Sequence, residues 1–141
     1  MKKYNIGLTF GSFCPLHFGH INLFINAKKI CKKLIVCLSD DAYIKKHKGY
    51  TPPVKFASRK RHLQSIKEID QISVQSLKFG KKQAVARFKP DALIVGSDWT
   101  PQTFTGANLG IPVVYLKHTD NISSTILRKQ MTCEIINKGR I

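Results

Sequence analysis

Acidic side chains are scarce in this chain. Eight Asp and Glu face 24 Lys and Arg over 141 residues, a formal net charge of +16. No dedicated carboxylate cluster for a divalent metal is visible. Long apolar runs are missing too. The longest, such as Leu34 to Leu38, hold about five residues, which excludes a transmembrane helix. Met1-Lys2-Lys3 is basic, but the apolar stretch behind it is too short and mixed for a signal peptide. The four cysteines, Cys14, Cys31, Cys37 and Cys133, form no C-x-x-C pair. Cys31 and Cys37 read as core, and all four as reduced thiols of a cytoplasmic protein. Low-complexity tracts, internal repeats and linkers are absent, so residues 1–141 read as one domain.

The positive charge has three sharp readings: nucleic acid, an anionic membrane surface, or phosphorylated small molecules. Its bland reading is a solvated basic face. The basic residues are spread widely, as Lys28-Lys29, Lys32-Lys33, Lys45-Lys46, Arg59-Lys60-Arg61 and Lys81-Lys82. They show no aromatic interleaving of the kind an RNA-reading sheet carries. The expectation is a small-molecule protein with no nucleic-acid and no membrane partner.

An apolar fraction of 43% supports a core. Runs rich in β-branched and apolar residues alternate with helical patterns. Strands are expected at Asn5 to Phe10, Lys33 to Ser39, Gln71 to Val74, Asp91 to Val95 and Pro112 to Leu116. Helices are expected at Gly19 to Cys31, Asp40 to Lys46, Phe56 to Ile69, Lys81 to Lys89 and Ser123 to Asn137. His47 to Lys55, with Gly49, Pro52 and Pro53, reads as a loop, and Thr100 to Gly110 as a loop or short helix. Such alternation implies an α/β fold: a Rossmann-like, doubly wound, five-stranded parallel sheet with helices on both faces. Ligands on such sheets sit at the carboxyl ends of the strands, near the switch in strand order.

Three segments fall on that edge. The first is Gly11-Ser12-Phe13-Cys14-Pro15-Leu16-His17-Phe18-Gly19-His20, after the first strand. A Gly-led turn opens a helix there, and a helix start offers N–H groups and a positive dipole end to an anion. His17 and His20 lie three apart, on one helix face, and imidazoles can donate to charge building on a phosphoryl group. The same spacing suits zinc, but His47, His62 and His118 supply no recognisable third ligand. Plain capping and packing histidines are the other reading. The second segment is Gly96 to Trp99, after the fourth strand. The third is Ile122 to Arg128, after the fifth, where Ser123, Ser124 and Thr125 read as ordinary N-caps or as a phosphate cradle.

His17-Phe18-Gly19-His20 resembles the HxGH signature of the nucleotidyltransferase superfamily of small α/β enzymes. Asn121-Ile122-Ser123-Ser124-Thr125-Ile126-Leu127-Arg128 resembles its ISSTxxR motif. The resemblance runs from about Tyr4 to Lys129. By order and spacing the chain is most similar to the glycerol-3-phosphate cytidylyltransferases. Gly96-Ser97-Asp98-Trp99 looks like their G-D-D-W, and Val113 to Leu116 like the strand before their final motif. The chain departs from them at Cys14, where they carry Asp, at Pro15, where they carry Leu, and at His118, where they carry Arg. A proline at position 15 resembles the adenylyltransferases that make NAD or coenzyme A precursors.

The resemblance implies transfer of a nucleotidyl group from a triphosphate to a phosphorylated small acceptor. His17, His20, Lys46 and Lys48 would be catalytic, the two lysines sharing one loop. Gly11, Ser12 and Phe13 would offer backbone, and Gly96, Asp98 and Trp99 would line the base. Ile122, Ser123, Ser124, Thr125 and Arg128 would hold the outer phosphates. Arg59 and Lys67 would bind the acceptor. Mg2+ would arrive with the triphosphate, with no metal site of the protein's own. CTP and glycerol 3-phosphate are expected; an adenylyltransferase is the alternative. From another class, a non-catalytic nucleotide-binding or basic nucleic-acid-binding module stays open. A homodimer is implied, with Phe18 and Phe24 as apolar positions that need a partner or a core.

Overall fold

The computed structural model describes residues 2–96 and 104–117. Nine elements follow in order: β1 (Tyr4–Gly11), α1 (Phe18–Ile30), β2 (Cys31–Ser39), α2 (Asp41–Lys48), α3 (Phe56–Gln64), β3 (Gln71–Gln75), α4 (Lys81–Phe88), β4 (Ala92–Gly96) and β5 (Val113–Leu116). The strands form one sheet in the order β3-β2-β1-β4-β5. Every pairing is parallel. The order reverses between β1 and β4, which makes their carboxyl ends the natural crevice.

β2 shows why the sheet needs cover on both faces. Its residues Leu34 to Leu38 are all buried. Side chains alternate across a strand. Leu34, Val36 and Leu38 therefore join one core with Phe24 and Ala27 of α1 and Leu63 of α3. Ile35 and Cys37 join the other with Leu8, Leu93, Val95 and Ala84 of α4. The expected α/β architecture is present. Phe24 is fully buried in the first core, so it needs no partner chain; Phe18 is 55% exposed.

Two boundaries differ from the periodicity. α2 continues through Lys48 and stops at Gly49, which takes a left-handed φ of 78°. Glycine tolerates that φ without a Cβ clash, so the helix ends at Gly49 and not at the charge run before it. α3 ends at Gln64, short of Ile69. Ile66 N–H donates to Leu63 O and Ile69 N–H to Ile66 O, at 3.1 and 3.3 Å. These i→i+3 turns keep Leu63, Ile66 and Ile69 against one core at a spacing of three, which mimics a helix in the sequence. The expected helix over 123–137 lies outside the described residues.

One buried guanidinium ties together the loops at the carboxyl edge. Arg59 is 1% exposed. Its Nε donates to Val54 O (2.9 Å) and its Nη1 to Ser12 O (2.9 Å) and Ser39 O (2.6 Å). Its Nη2 pairs with Asp41 Oδ1 at 2.6 Å. Asp41 Oδ2 accepts from Phe56 N–H at 3.4 Å, at the start of α3. So the turn after β1, the end of β2, the start of α2 and the loop before α3 share one hub. Arg59→Met should lower unfolding free energy by about 3 kcal/mol, since it leaves buried carbonyls and Asp41 without their donor. Arg59→Lys should recover little of this, because one ammonium cannot reproduce the fork. Urea midpoints of both variants check it; a wild-type midpoint for Arg59→Lys would show that charge alone suffices.

Candidate active site

The turn after β1 is shaped by Phe13 folding back. Phe13 takes φ 46°, a left-handed value that non-glycine residues seldom adopt. Its ring lies where a Cβ on Gly11 would sit, 2.7 Å from the Phe13 Cζ position. Gly11 is therefore needed for close approach. The Phe13 ring meets Phe24 at 5.2 Å and the His20 ring edge-on at 4.9 Å, interplanar angle 89°. Core packing thus reaches directly into the first turn of α1 and fixes one imidazole.

The two histidines cap that helix for each other. His17 is the N-cap, and its Nδ1 accepts from Gly19 N–H at 3.1 Å. His20 Nδ1 accepts from His17 N–H at 3.2 Å. The rings stack with centroids 3.7 Å apart and planes 24° from parallel. A neutral imidazole that accepts through Nδ1 carries its proton on Nε2. Each ring therefore presents an Nε2–H edge as a donor. Capping and phosphate donation, two separate readings of the sequence, are compatible because they use opposite nitrogens.

Burial first, then the neighbouring His17 and the Lys48 charge, lower the His20 pKa to about 3. His20 is neutral at ordinary pH and donates without being a cation. Lys48 Nζ donates to Ser12 Oγ at 3.1 Å. Ser12 is thus held at its carbonyl by Arg59 and at its hydroxyl by Lys48.

The structure brings together Gly11, Ser12, Phe13, His17, His20 and Lys48, with Gly96 ending β4 on the same edge. The structure departs from three of the expectations. Lys46 and Lys48 do not share a loop: both belong to the last turn of α2. Residues two apart on a helix project about 200° apart. With Lys48 turned to Ser12, Lys46 is exposed on another side. Arg59 does not face an acceptor, because the core buries it and protein oxygens occupy its donors. Lys67 is exposed in the turn between α3 and β3. That turn precedes the start of β3, so it lies at the opposite end of the sheet from the histidines. Asp98, Trp99, Ile122, Ser123, Ser124, Thr125 and Arg128 lie outside the described residues, as does His118.

Sequence reasoning passed over two features of this edge. Lys81, seen only as part of a charge run, starts α4 directly after Gly80. Its place after β3 was the available signal. Ser39, Gln75 and Tyr43 form a chain: Ser39 Oγ donates to Gln75 Oε1 (3.0 Å), and Gln75 Nε2 to Tyr43 OH (3.1 Å). Ser39 and Gln75 are buried at the ends of β2 and β3 and stiffen that side.

No helix among the described residues is long and apolar enough to cross a membrane. Among the same residues, no group of three or more His, Cys, Asp or Glu is placed to hold a metal ion. Asp40 and Asp41, the carboxylates beside this edge, are engaged. Asp40 Oδ1 accepts from Tyr43 N–H at 2.8 Å, and Asp41 holds Arg59.

A five-stranded parallel sheet with two stacked imidazoles at its switch point defines a class, and comparison with known proteins names it. Residues 8–130 match the family described as cytidylyltransferase-like, and the chain belongs to that family. It is 32% identical over 126 residues to a glycerol-3-phosphate cytidylyltransferase from Staphylococcus aureus, covering 88% of this chain and 92% of that one. It is 35% identical over 138 residues to the bifunctional protein HldE of Paramagnetospirillum magneticum, of whose length it spans 28%. Among solved structures, a lipopolysaccharide core biosynthesis protein from Thermoplasma volcanium shares the fold. Its TM-score is 0.67 at 24% identity, over 82% of this chain and 97% of that one.

The His20 shift makes stability depend on pH. In the unfolded chain this group titrates near 6.5; in the folded protein it titrates at about 3. Between those values the unfolded state binds the proton and the folded state does not. Its contribution to stability is complete above about 6.5 and is lost as pH falls toward 3, at up to about 1.4 kcal/mol per unit. His20→Asn keeps an acceptor for His17 N–H and removes the titration. Urea unfolding at pH 7, 5.5 and 4.5 should show a shallower acid loss in the variant; parallel curves would remove His20 as the cause.

Proposed function

We propose that this chain transfers a cytidylyl group from CTP to the phosphate of a small phosphorylated alcohol, glycerol 3-phosphate as first choice. An oxygen of the acceptor phosphate forms a bond to the α-phosphorus of CTP in line with the leaving group. The bond from that phosphorus to the bridging oxygen breaks, and pyrophosphate leaves with the electron pair. The observation that carries this reading is the pair of stacked imidazoles, both turned by their capping bonds to donate from Nε2, at the switch point of the sheet. The likeness to the staphylococcal cytidylyltransferase along nearly its whole length supports the base and the acceptor.

Phosphoryl chemistry of this kind needs positioning and charge neutralisation more than covalent help. His17 and His20 donate to the α-phosphate as charge grows on its oxygens. Lys48, fixed on Ser12, adds a full positive charge on the side of β2. Mg2+ would come with the triphosphate, since Asp40 and Asp41 are committed to a helix cap and to Arg59. The second reading is ATP in place of CTP. It rests on Pro15 in the first motif, which resembles the adenylyltransferases.

Thermal-shift measurements with CTP, ATP, GTP and UTP separate the two, because a ligand stabilises in proportion to its occupancy of the folded state. CTP should give the largest shift at equal concentration; a larger shift with ATP would move the chain to the adenylyl reading. Pyrophosphate release then tests the chemistry. His17→Ala should lower turnover about 10²-fold, with little change in unfolding midpoint.

The α2 geometry generates a separate expectation. Lys48→Met should lower turnover by about tenfold or more, while Lys46→Met should change it by less than about twofold. Equal losses would show that Lys46 reaches the substrate despite its place on the helix.

A further inference from the structure

Lys48 is the last residue of the short helix α2, and Arg59 is not all that fixes that helix. α2 starts on two tethers. Asp41 Oδ1 is held by Arg59 Nη2 at 2.6 Å. Two residues further on, the Tyr43 hydroxyl accepts from Gln75 Nε2 at 3.1 Å. Residues two apart on a helix project about 200° apart, so the tethers grip nearly opposite sides of α2. One tether alone would let the helix roll about its axis; the two together prevent it.

Gln75 has a directional task at this place. It is buried at the carboxyl end of β3, opposite Ser39 in the parallel register. Its carbonyl accepts from Asp40 N–H at 2.9 Å, where α2 begins. Its Oε1 accepts from Ser39 Oγ at 3.0 Å, and the Ser39 carbonyl in turn accepts from Arg59 Nη1. With Oε1 taken by a hydroxyl proton, Nε2 is the donor to Tyr43. Burying a primary amide costs free energy unless it is bonded, so an apolar side chain would fill a strand end more cheaply. The amide instead joins β2, β3 and α2.

The Tyr43 ring carries the constraint along the helix. It lies 4.3 Å from the ring of His47, in the last turn and next to Lys48. Ile44, fully buried, anchors a third side of α2. A tilt of about 10° at the first turn moves the last turn by about 2 Å, since Lys48 lies roughly 10 Å further along the axis. A shift of that size opens the Lys48–Ser12 contact of 3.1 Å. Misplacement of a reacting group by about 1 Å can cost about 10²-fold in rate.

We propose that Gln75 is a positioning residue of the transfer reaction. By holding the Tyr43 hydroxyl it sets the roll of α2, and with it the place of the Lys48 ammonium. It acts through Tyr43 and α2, not on the substrate. This rests on the nucleotidyl-transfer reading.

Two variants test it. Gln75→Leu keeps most of the volume and removes both side-chain bonds. Tyr43→Phe keeps the ring on His47 and removes only the hydroxyl, a milder change should Gln75→Leu fold poorly. Crystal structures of the variants should show the Lys48–Ser12 contact opened. In pyrophosphate release from CTP and glycerol 3-phosphate, kcat should fall about tenfold for Gln75→Leu and about threefold for Tyr43→Phe, with KM for CTP within about twofold of wild type. In a Lys48→Met background, Gln75→Leu should cost less than about twofold more, because the group it positions is already gone. An intact Lys48–Ser12 contact in the folded variants, an unchanged kcat, a loss confined to KM, or the same tenfold loss in both backgrounds overturns this proposal and leaves the transfer reading standing. No pyrophosphate release by wild type, with CTP or with ATP, overturns the transfer reading and this proposal with it.

Discussion

The loops at the carboxyl edge, and the lysine that rests on them, depend on the burial of one guanidinium. Arg59 arrives from α3 and ends among backbone oxygens of the turn after β1 and of the end of β2. Burying a full charge is costly unless its donors are satisfied. The fold meets that cost with three carbonyls and the Asp41 carboxylate. The consequence is positional. Ser12 cannot shift without breaking a charge-assisted bond, and Lys48 rests on the Ser12 hydroxyl. Lys48 is thus located by a chain of two contacts that begins in the core.

The histidine pair is located by a different route, through packing. Phe13 is pressed against Phe24 on one side and against His20 on the other. That contact excludes water from His20 and is part of why its charged form is disfavoured. A neutral His20 is chemically useful at a cationic edge. It adds a donor without adding to the repulsion between Lys48 and Lys81. Lys48 in turn helps to keep His20 neutral.

The fold was legible because β2 is apolar on both faces and the helices between strands carry one apolar side each. The motif Gly11 to His20 was legible because a glycine-led turn and two histidines three apart have few other uses at such a place. The lysines were not. A run such as Lys45-Lys46-His47-Lys48 has no apolar phase of its own, and the loop signals Pro52 and Pro53 lie just beyond it. Only the left-handed Gly49 marks the helix end, and it separates Lys46 from Lys48 by the helical angle. Arg59 was expected at the acceptor because the resemblance carries a basic residue there, and nothing in the neighbouring Lys55, Lys60 and Arg61 marks it as buried. Its burial follows from contacts 47 residues away along the chain, at Ser12. Lys81 was hidden in the same way, since its neighbours Phe10 and Phe104 are remote in sequence.

A net charge of +16 would by itself suggest a protein for polyanions. The structure redistributes that inference. Most of the lysines are exposed and spread over the helices, where salt and water screen them. Two lysines at the carboxyl edge have close neighbours of their own: Lys48 donates to the buried Ser12, and Lys81 lies over two rings. Like charges fixed together lower stability, and the fold accepts that strain at a single edge. An anion placed there gains what the protein alone loses, because it relieves the repulsion as well as making its own contacts. Arg59 holds Lys48 there through Ser12, and Phe13 holds the neutral His20 beside it.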